Sequence, residues 1–123
     1  MKQHSPRFLT YVTHVKNQVK EITPFALKAL IDSQQPLHLI DVRETDELSS
    51  GHIQTAIHLS KGVIERDIEK QIPDPQAPIV VYCSGGFRCA LVANSLHNMG
   101  YTNVSSLNTG LQGWIDAGFP IEK

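Results

Sequence analysis

The chain has 123 residues, a formal net charge of −1 at pH 7 and two cysteines. This length predicts a single domain with its own hydrophobic core. The charge balance lacks the basic excess that is typical of proteins that neutralise nucleic-acid phosphates. Two cysteines are too few for a disulfide scaffold or a four-cysteine zinc site, and no apolar run approaches the length of a membrane span.

The N-terminal segment, residues 1–21, is interrupted by lysine and arginine residues. It therefore lacks the uninterrupted apolar region of an export signal. We expect a soluble, cytoplasmic protein in a reducing compartment, where both thiols stay free.

Helix and strand signals begin near the N-terminus. Ser5 and Pro6 indicate the N-cap and the first residue of an N-terminal helix. A short strand over 20–22 follows, and Thr23 starts a second helix. The apolar face of that second helix is predicted to contain Phe25, Leu27, Leu30 and Ile31.

The same alternation continues through the rest of the chain. Strands are predicted at 37–42, 56–59, 78–82 and 103–107, and helices at 63–72, 89–99 and 111–117. Alternating strands and helices predict an α/β fold, with a parallel sheet flanked by helices on both faces. Ligands of such sheets bind at the carboxyl ends of the strands, where Cys83 lies.

The loop that begins at Cys83 joins a buried strand to a helix and contains Gly85 and Gly86. Glycines let the backbone turn tightly, so that its N–H groups can point toward one spot. The following helix adds its unpaired N–H groups and positive dipole end, and Arg88 adds a permanent charge. These features predict an anion cradle around a thiol, which lowers the pKa of the thiol and makes it a nucleophile.

The second cysteine, Cys89, lies in the first turn of the helix after the loop, where any small residue would fit. We expect a structural role for it. The alternative is a resolving thiol that forms a disulfide with Cys83.

The motifs taken together resemble a single-domain rhodanese, a thiosulfate:acceptor sulfurtransferase. The resemblance runs from about Ile22 to Ile121 and leaves 1–19 as an N-terminal helical extension to a rhodanese-like domain at 20–123. The matching segments are LIDVRE (39–44), GHIQTAIHL (51–59), VVYCSGGFRCA (80–90) and TGLQGW with the later Gly-Phe-Pro (109–120). The sequence departs from the family at Thr55, which is usually glycine, and at Cys89, which is commonly serine.

The resemblance implies that Cys83 carries sulfur as a persulfide. Thiosulfate or a related small molecule would be the donor, and a thiol, cyanide or a protein would be the acceptor. Neither a cofactor nor a metal is implied, and neither nucleic acid nor a membrane is expected as a partner. Arg88 would bind the sulfonate end of the donor, while the persulfide would be held by the loop residues Ser84, Gly85, Gly86 and Phe87.

Loop length bears on the type of reaction. Four residues separate Cys83 from Arg88. Phosphatases and arsenate reductases of similar fold have one residue more, which makes a wider cradle for a tetrahedral oxyanion. The shorter loop favours sulfur transfer.

Several polar residues outside the loop are expected to have structural or surface positions and no catalytic role. The resemblance makes Asp41 and Arg43 structural supports of the active-site side. Glu44 and Glu47 could lie at the rim of the pocket, but a position on the solvated surface is favoured. The histidines, His52 and His58 included, lack a recognisable metal-ligand spacing.

Two other functions stay open at this stage. One is a non-catalytic rhodanese-like module that binds a partner, for which the N-terminal helix is the main argument. The other is a thiol redox or arsenate-reductase-like enzyme that uses Cys83 and Cys89.

Overall fold

The structure, a computed structural model, describes residues 4–123; the first three residues of the predicted N-terminal extension lie outside the described residues. The helices are α1 (Pro6–Lys16), α2 (Pro24–Asp32), α3 (Ile64–Gln71), α4 (Arg88–Asn98) and α5 (Gly110–Asp116). The strands are β1 (Lys20–Ile22), β2 (His38–Asp41), β3 (Ile57–His58), β4 (Ile79–Tyr82) and β5 (Val104–Leu107). A 3₁₀ helix, Thr45–Ser50, was not predicted from the sequence.

The strands form one parallel sheet in the order β1-β5-β4-β2-β3. This arrangement confirms the predicted α/β fold with a parallel sheet. Strand β4 is central, and all four of its residues are buried. Its carboxyl end therefore brings Cys83 to the middle of the sheet edge, where ligands of such folds bind.

Two hydrophobic cores lie on opposite faces of the sheet. One is shared with α3 and α4, and the other with α2 and α5. Val80 and Val81 are consecutive in β4 and point into different cores, as side chains of a strand alternate. Helix α1 packs against α4 and buries Val12 and Val15. Within residues 4–123, no helix combines the length and the apolar character needed to span a bilayer.

The helix starts differ from the sequence prediction in one respect. Ser5 occupies the N-cap position of α1, but its side chain makes no capping hydrogen bond. Thr23, at the N-cap of α2, accepts a hydrogen bond from the N–H of Ala26 at 3.1 Å. Proline at the first helical position is thus the feature that marks both starts.

The predicted apolar face of α2 is too wide. Leu27 is fully buried, but Phe25 is 67% exposed and Leu30 is 37% exposed. A nine-residue helix on a sheet turns only a narrow stripe inward, and here that stripe is Leu27 with Ile31. The ring of Phe25 instead meets Phe119 edge-on, with ring centroids 5.5 Å apart.

The burial difference between Leu27 and Leu30 predicts a difference in stability. Leu27→Ala should lower the free energy of unfolding by about 2–5 kcal/mol, because it leaves a cavity in the core. Leu30→Ala, on the same helix, should cost about 1 kcal/mol or less. Urea unfolding of both variants measures the two values, and equal losses would contradict the assigned orientation of α2.

Candidate active site

The cysteine loop runs from Cys83, directly after β4, to Arg88, the first residue of α4. Gly86 has a φ of +94°, and a Cβ built there would lie 2.1 Å from the carbonyl oxygen of Asn108. This position therefore requires glycine for its conformation and for its close approach to the neighbouring segment. At Gly85 a Cβ would meet only the Phe87 ring, at 3.8 Å or more, so that glycine is not required by space.

The first turn of α5 determines which way the peptides of the loop face. The N–H of Leu111 donates to the carbonyl of Cys83 at 2.8 Å, and the N–H of Gln112 donates to the carbonyl of Ser84 at 3.0 Å. In a trans peptide the carbonyl and the next N–H point in opposite directions. Binding the carbonyls to α5 therefore turns the N–H groups of Ser84 and Gly85 away from α5.

The sulfur of Cys83 binds two other backbone N–H groups. It accepts hydrogen bonds from the backbone N–H groups of Gly86 at 3.2 Å and Cys89 at 3.4 Å. Its Sγ lies 3.5 Å from the Sγ of Cys89. The hydrogen bond with the Cys89 thiol is the largest cause that lowers the pKa of Cys83 to about 6; the two N–H groups and the charge of Arg88 act in the same direction, against burial.

Cys89 takes the opposite protonation state. Burial, together with its hydrogen bond to Cys83, raises the pKa of the Cys89 thiol well above its ordinary value. The hydroxyl of Ser106 lies 3.0 Å from its sulfur, and the carbonyl of Leu107 lies 3.6 Å away. Cys89 thus remains a thiol beside the Cys83 thiolate. Its contact with the Cys83 sulfur makes it more than a small residue that fills space.

Arg88 is engaged by a carboxylate that the sequence placed in solvent. Its Nη1 and Nη2 donate to the two carboxylate oxygens of Glu47 at 2.8 and 2.9 Å. The hydroxyl of Ser84 donates to the same carboxylate at 3.1 Å. The hydrogen bond from Arg88 is the main reason why the pKa of Glu47 falls to about 2. The favoured expectation of a solvated Glu47 is therefore wrong, and the alternative, a position beside the cysteine loop, is the one observed.

The position of Glu47 depends on a buried ion pair. Asp41 and Arg43 are both buried, with Nη2 of Arg43 2.8 Å from Oδ2 of Asp41. The same guanidinium donates to the carbonyls of Gly51 at 2.7 Å and Glu47 at 3.2 Å. These two carbonyls lie at the end and in the middle of the 3₁₀ helix, so the ion pair holds the segment that presents Glu47.

The two histidines of the outer motif make local contacts. His58 Nε2 is 2.7 Å from the carbonyl of Arg43, and His52 pairs with Glu122 at 3.2 Å. Across residues 4–123, no three His, Cys, Asp or Glu side chains are grouped as a metal-ligand set would be.

Of two further residues that contact the loop, sequence reasoning ranked Glu47 too low and missed Lys16. Glu47 had a weak signal, because it stands three residues after Glu44 and the pair forms a capping box at the start of the 3₁₀ helix. Lys16 had none. Its ammonium lies 3.2 Å from the carbonyl oxygen of Gly86, which is 70 positions away along the chain.

Comparison with known proteins identifies the family. A family model described as the rhodanese-like domain matches residues 23–117. Thiosulfate sulfurtransferase GlpE of Haemophilus influenzae (strain PittEE) is 33% identical over 103 residues, which cover 84% of this chain and 94% of that protein. The chain belongs to the rhodanese-like family, and its relatives include named sulfurtransferases.

Solved structures extend the similarity to α1. The chain RPA3614 of Rhodopseudomonas palustris CGA009, described as a possible tyrosine phosphatase, has a TM-score of 0.84 and 29% identity, with 99% of both chains covered. The polysulfide-sulfur transferase homodimer of Wolinella succinogenes has a TM-score of 0.80 and 28% identity, covering 94% of this chain and 87% of that one.

The hydrogen bonds to Cys83 predict a reactive thiolate below neutral pH. The rate of alkylation by iodoacetamide should rise with pH through a midpoint near 6, because the thiolate is the nucleophile. Cys89→Ala should raise this midpoint, and Cys89→Ser should change it less, because a hydroxyl still donates a hydrogen bond to the sulfur. Peptide mapping after alkylation identifies the modified cysteine. A wild-type midpoint near the ~8.5 of a free thiol would contradict this assignment.

The low pKa of Glu47 predicts how the value of its ion pair changes with pH. The pKa is about 2 in the folded protein and 4.5 ordinarily, so the carboxylate stabilises the fold above about pH 4.5. This contribution declines as the pH falls toward 2. Glu47→Gln should therefore be less stable than wild type at pH 6, by on the order of 1 kcal/mol, and the difference should shrink at pH 3.

Urea unfolding at the two pH values measures this effect, and Glu69→Gln, an exposed position on α3, serves as the control. A difference that stays constant between pH 6 and pH 3 would argue against the ion pair.

Proposed function

We propose that the chain transfers sulfane sulfur from thiosulfate or a related donor to a thiophilic acceptor, through a persulfide on Cys83. The observation that carries this proposal is the pair of backbone N–H groups, from Gly86 and Cys89, aimed at the Cys83 sulfur at 3.2 and 3.4 Å. Membership of a family with named thiosulfate sulfurtransferases supports it.

The first half-reaction forms the persulfide. The Cys83 thiolate attacks the outer sulfur of thiosulfate, a new bond forms between the two sulfurs, and the sulfur–sulfur bond of thiosulfate breaks. The electron pair of the broken bond leaves with sulfite. A thiolate and a dianion thus become a persulfide anion and a sulfite dianion, so atoms and charge balance without a proton or a redox partner.

The second half-reaction restores the enzyme. An acceptor thiolate, or cyanide, attacks the outer sulfur of the persulfide, and the bond to Cys83 breaks with its electron pair returning to Sγ. Negative charge therefore moves between Sγ and the outer sulfur in each step. N–H groups fixed around the sulfur stabilise this charge without having to reorganise.

Arg88 can assist the donor only within the limits that Glu47 imposes. A guanidinium has five N–H donors. Within residues 4–123, two of them bind the carboxylate of Glu47 and one the hydroxyl of Ser84. In this proposal the remaining donors bind the sulfonate end of thiosulfate. The Asp41–Arg43 ion pair acts at a distance, by holding the segment that carries Glu47.

The cellular setting follows from the thiols. Cys83 and Cys89 are both free thiols, and their sulfurs are in contact at 3.5 Å. A reducing compartment such as the cytoplasm would protect them from oxidation to a disulfide. We therefore place the activity there, with a small-molecule donor and a thiol or protein acceptor.

The thiol redox alternative also has this contact in its favour. Disulfide formation, however, requires one sulfur to attack the other as a thiolate. Burial raises the pKa of Cys89, which makes it a poor nucleophile toward an oxidised Cys83. The four-residue spacing between Cys83 and Arg88 also favours sulfur transfer over oxyanion chemistry.

Intact mass spectrometry tests the proposal. Incubation with excess thiosulfate should add the mass of one sulfur atom to the wild-type protein, and cyanide should then remove it. Cys83→Ser should show no addition, whereas Cys89→Ser should still gain the sulfur. A folded wild-type protein that gains no mass at saturating thiosulfate and at pH 7, where Cys83 is ionised, would refute thiosulfate as the donor.

A further inference from the structure

Lys16, the last residue of α1, reaches the cysteine loop from outside. Its Nζ donates to the carbonyl oxygens of Gly86 at 3.2 Å and Asn108 at 3.3 Å. The carboxylate of Glu21 lies 2.6 Å from the same nitrogen. The side chain of Lys16 is only 21% exposed, so the ammonium is held between these three oxygens.

The two carbonyls belong to different segments of the chain. Gly86 lies in the cysteine loop, and Asn108 follows β5. The two segments are in close contact, since a Cβ on Gly86 would lie 2.1 Å from the Asn108 oxygen. Two carbonyl oxygens that converge on one point repel each other unless a donor lies between them. The ammonium of Lys16 supplies that donor and its charge.

This contact adds a third bound carbonyl to the loop. Helix α5 binds the carbonyls of Cys83 and Ser84, and Lys16 binds that of Gly86. Holding the Gly86 carbonyl outward turns the N–H of Phe87 inward. It also fixes the left-handed conformation in which the N–H of Gly86 reaches the Cys83 sulfur at 3.2 Å.

The side chain of Phe87 makes a second contact between the loop and the N-terminal segment. Its ring centroid is 5.6 Å from Nζ of Lys16, within the range of a cation–π interaction. The rings of His4 and Phe8 meet it edge-on, with centroids 4.7 and 6.4 Å away. The N-terminal segment therefore covers the loop with an aromatic cluster in addition to the ammonium.

We propose that Lys16 is a positioning residue for the cysteine loop, and that α1 is thereby part of the active site. Helix α1 precedes the residues matched by the family model, which begin at 23. The inference rests on the proposed function for its effect on turnover. Its effect on the reactivity of Cys83 needs no sulfur donor.

Lys16→Met tests the proposal, because it removes the ammonium and keeps a long side chain. We expect the midpoint of Cys83 alkylation to rise from near 6 by up to one pH unit. The alkylation rate at pH 6, and the turnover of thiosulfate there, should fall by up to about 5-fold as the thiolate fraction falls. Lys16→Arg, which keeps a cation, should recover part of the loss.

Lys28→Met is the matched control. Lys28 is also partly exposed, pairs with the carboxylate of Asp32 at 2.7 Å and lies 5.9 Å from the ring of Phe119, but it binds no loop carbonyl. Its substitution should leave both the alkylation midpoint and the turnover unchanged.

The alkylation profile separates this proposal from the proposed function. A raised midpoint in folded Lys16→Met, with a normal one in Lys28→Met, supports the positioning role even if the wild-type protein accepts no sulfur from thiosulfate. An alkylation midpoint in Lys16→Met equal to that of the wild type overturns the positioning role, even if the wild-type protein turns over thiosulfate as proposed. If Lys16→Met does not fold, Lys16→Gln takes its place. Its amide is uncharged and its side chain is one bond shorter than that of lysine, so an unchanged midpoint there overturns the proposal equally.

Discussion

The orientation of the peptides in the cysteine loop is the constraint on which the site depends. The N–H groups of Gly86 and Cys89 reach the Cys83 sulfur, while carbonyls of the same loop are bound by neighbouring segments. Helix α5 supplies two of those bonds and Lys16 a third. Gly110 shows how closely α5 must approach: its φ is +65°, and a Cβ there would lie 2.5 Å from the carbonyl oxygen of Ser84. The anion cradle is therefore a tertiary structure, and the loop cannot form it alone.

The protonation states at the site follow from this geometry. Two buried thiols 3.5 Å apart cannot both ionise without strong repulsion, so the first to lose its proton keeps the other protonated. The backbone donors and Arg88 favour the thiolate at Cys83, and Cys89 then donates its remaining proton to that sulfur. The serine that is common in the family at this position could donate in the same way. A thiol in its place preserves the hydrogen bond and adds a site for oxidation.

The sequence was sufficient for the local features and insufficient for the long-range ones. The apolar run of β4, Cys83, the glycine at position 86 and the arginine that opens α4 are adjacent in the chain, so their pattern predicted the loop and its place on the sheet. Glu47 and Lys16 lie 41 and 70 positions from their partners in the loop. Nothing in the spacing of a single sequence indicates such pairs. A segment whose charged residues face solvent has the same composition as one whose charged residues contact a distant loop.

The contacts made by Glu47 also bear on which donors suit the site. A buried ion pair, Asp41 with Arg43, fixes the 3₁₀ helix; this helix presents Glu47, and Glu47 neutralises Arg88. The surroundings of Arg88 consequently carry less positive charge than an unpaired arginine would give them. The sulfur of Cys83 is itself an anion when it is ionised. One guanidinium stands against the carboxylate of Glu47 and the thiolate of Cys83, so the net charge is negative and repels a dianion more strongly than a donor of lower charge. The contact that orients Arg88 therefore also reduces the positive charge that an anionic donor would meet, and both effects depend on the single carboxylate of Glu47.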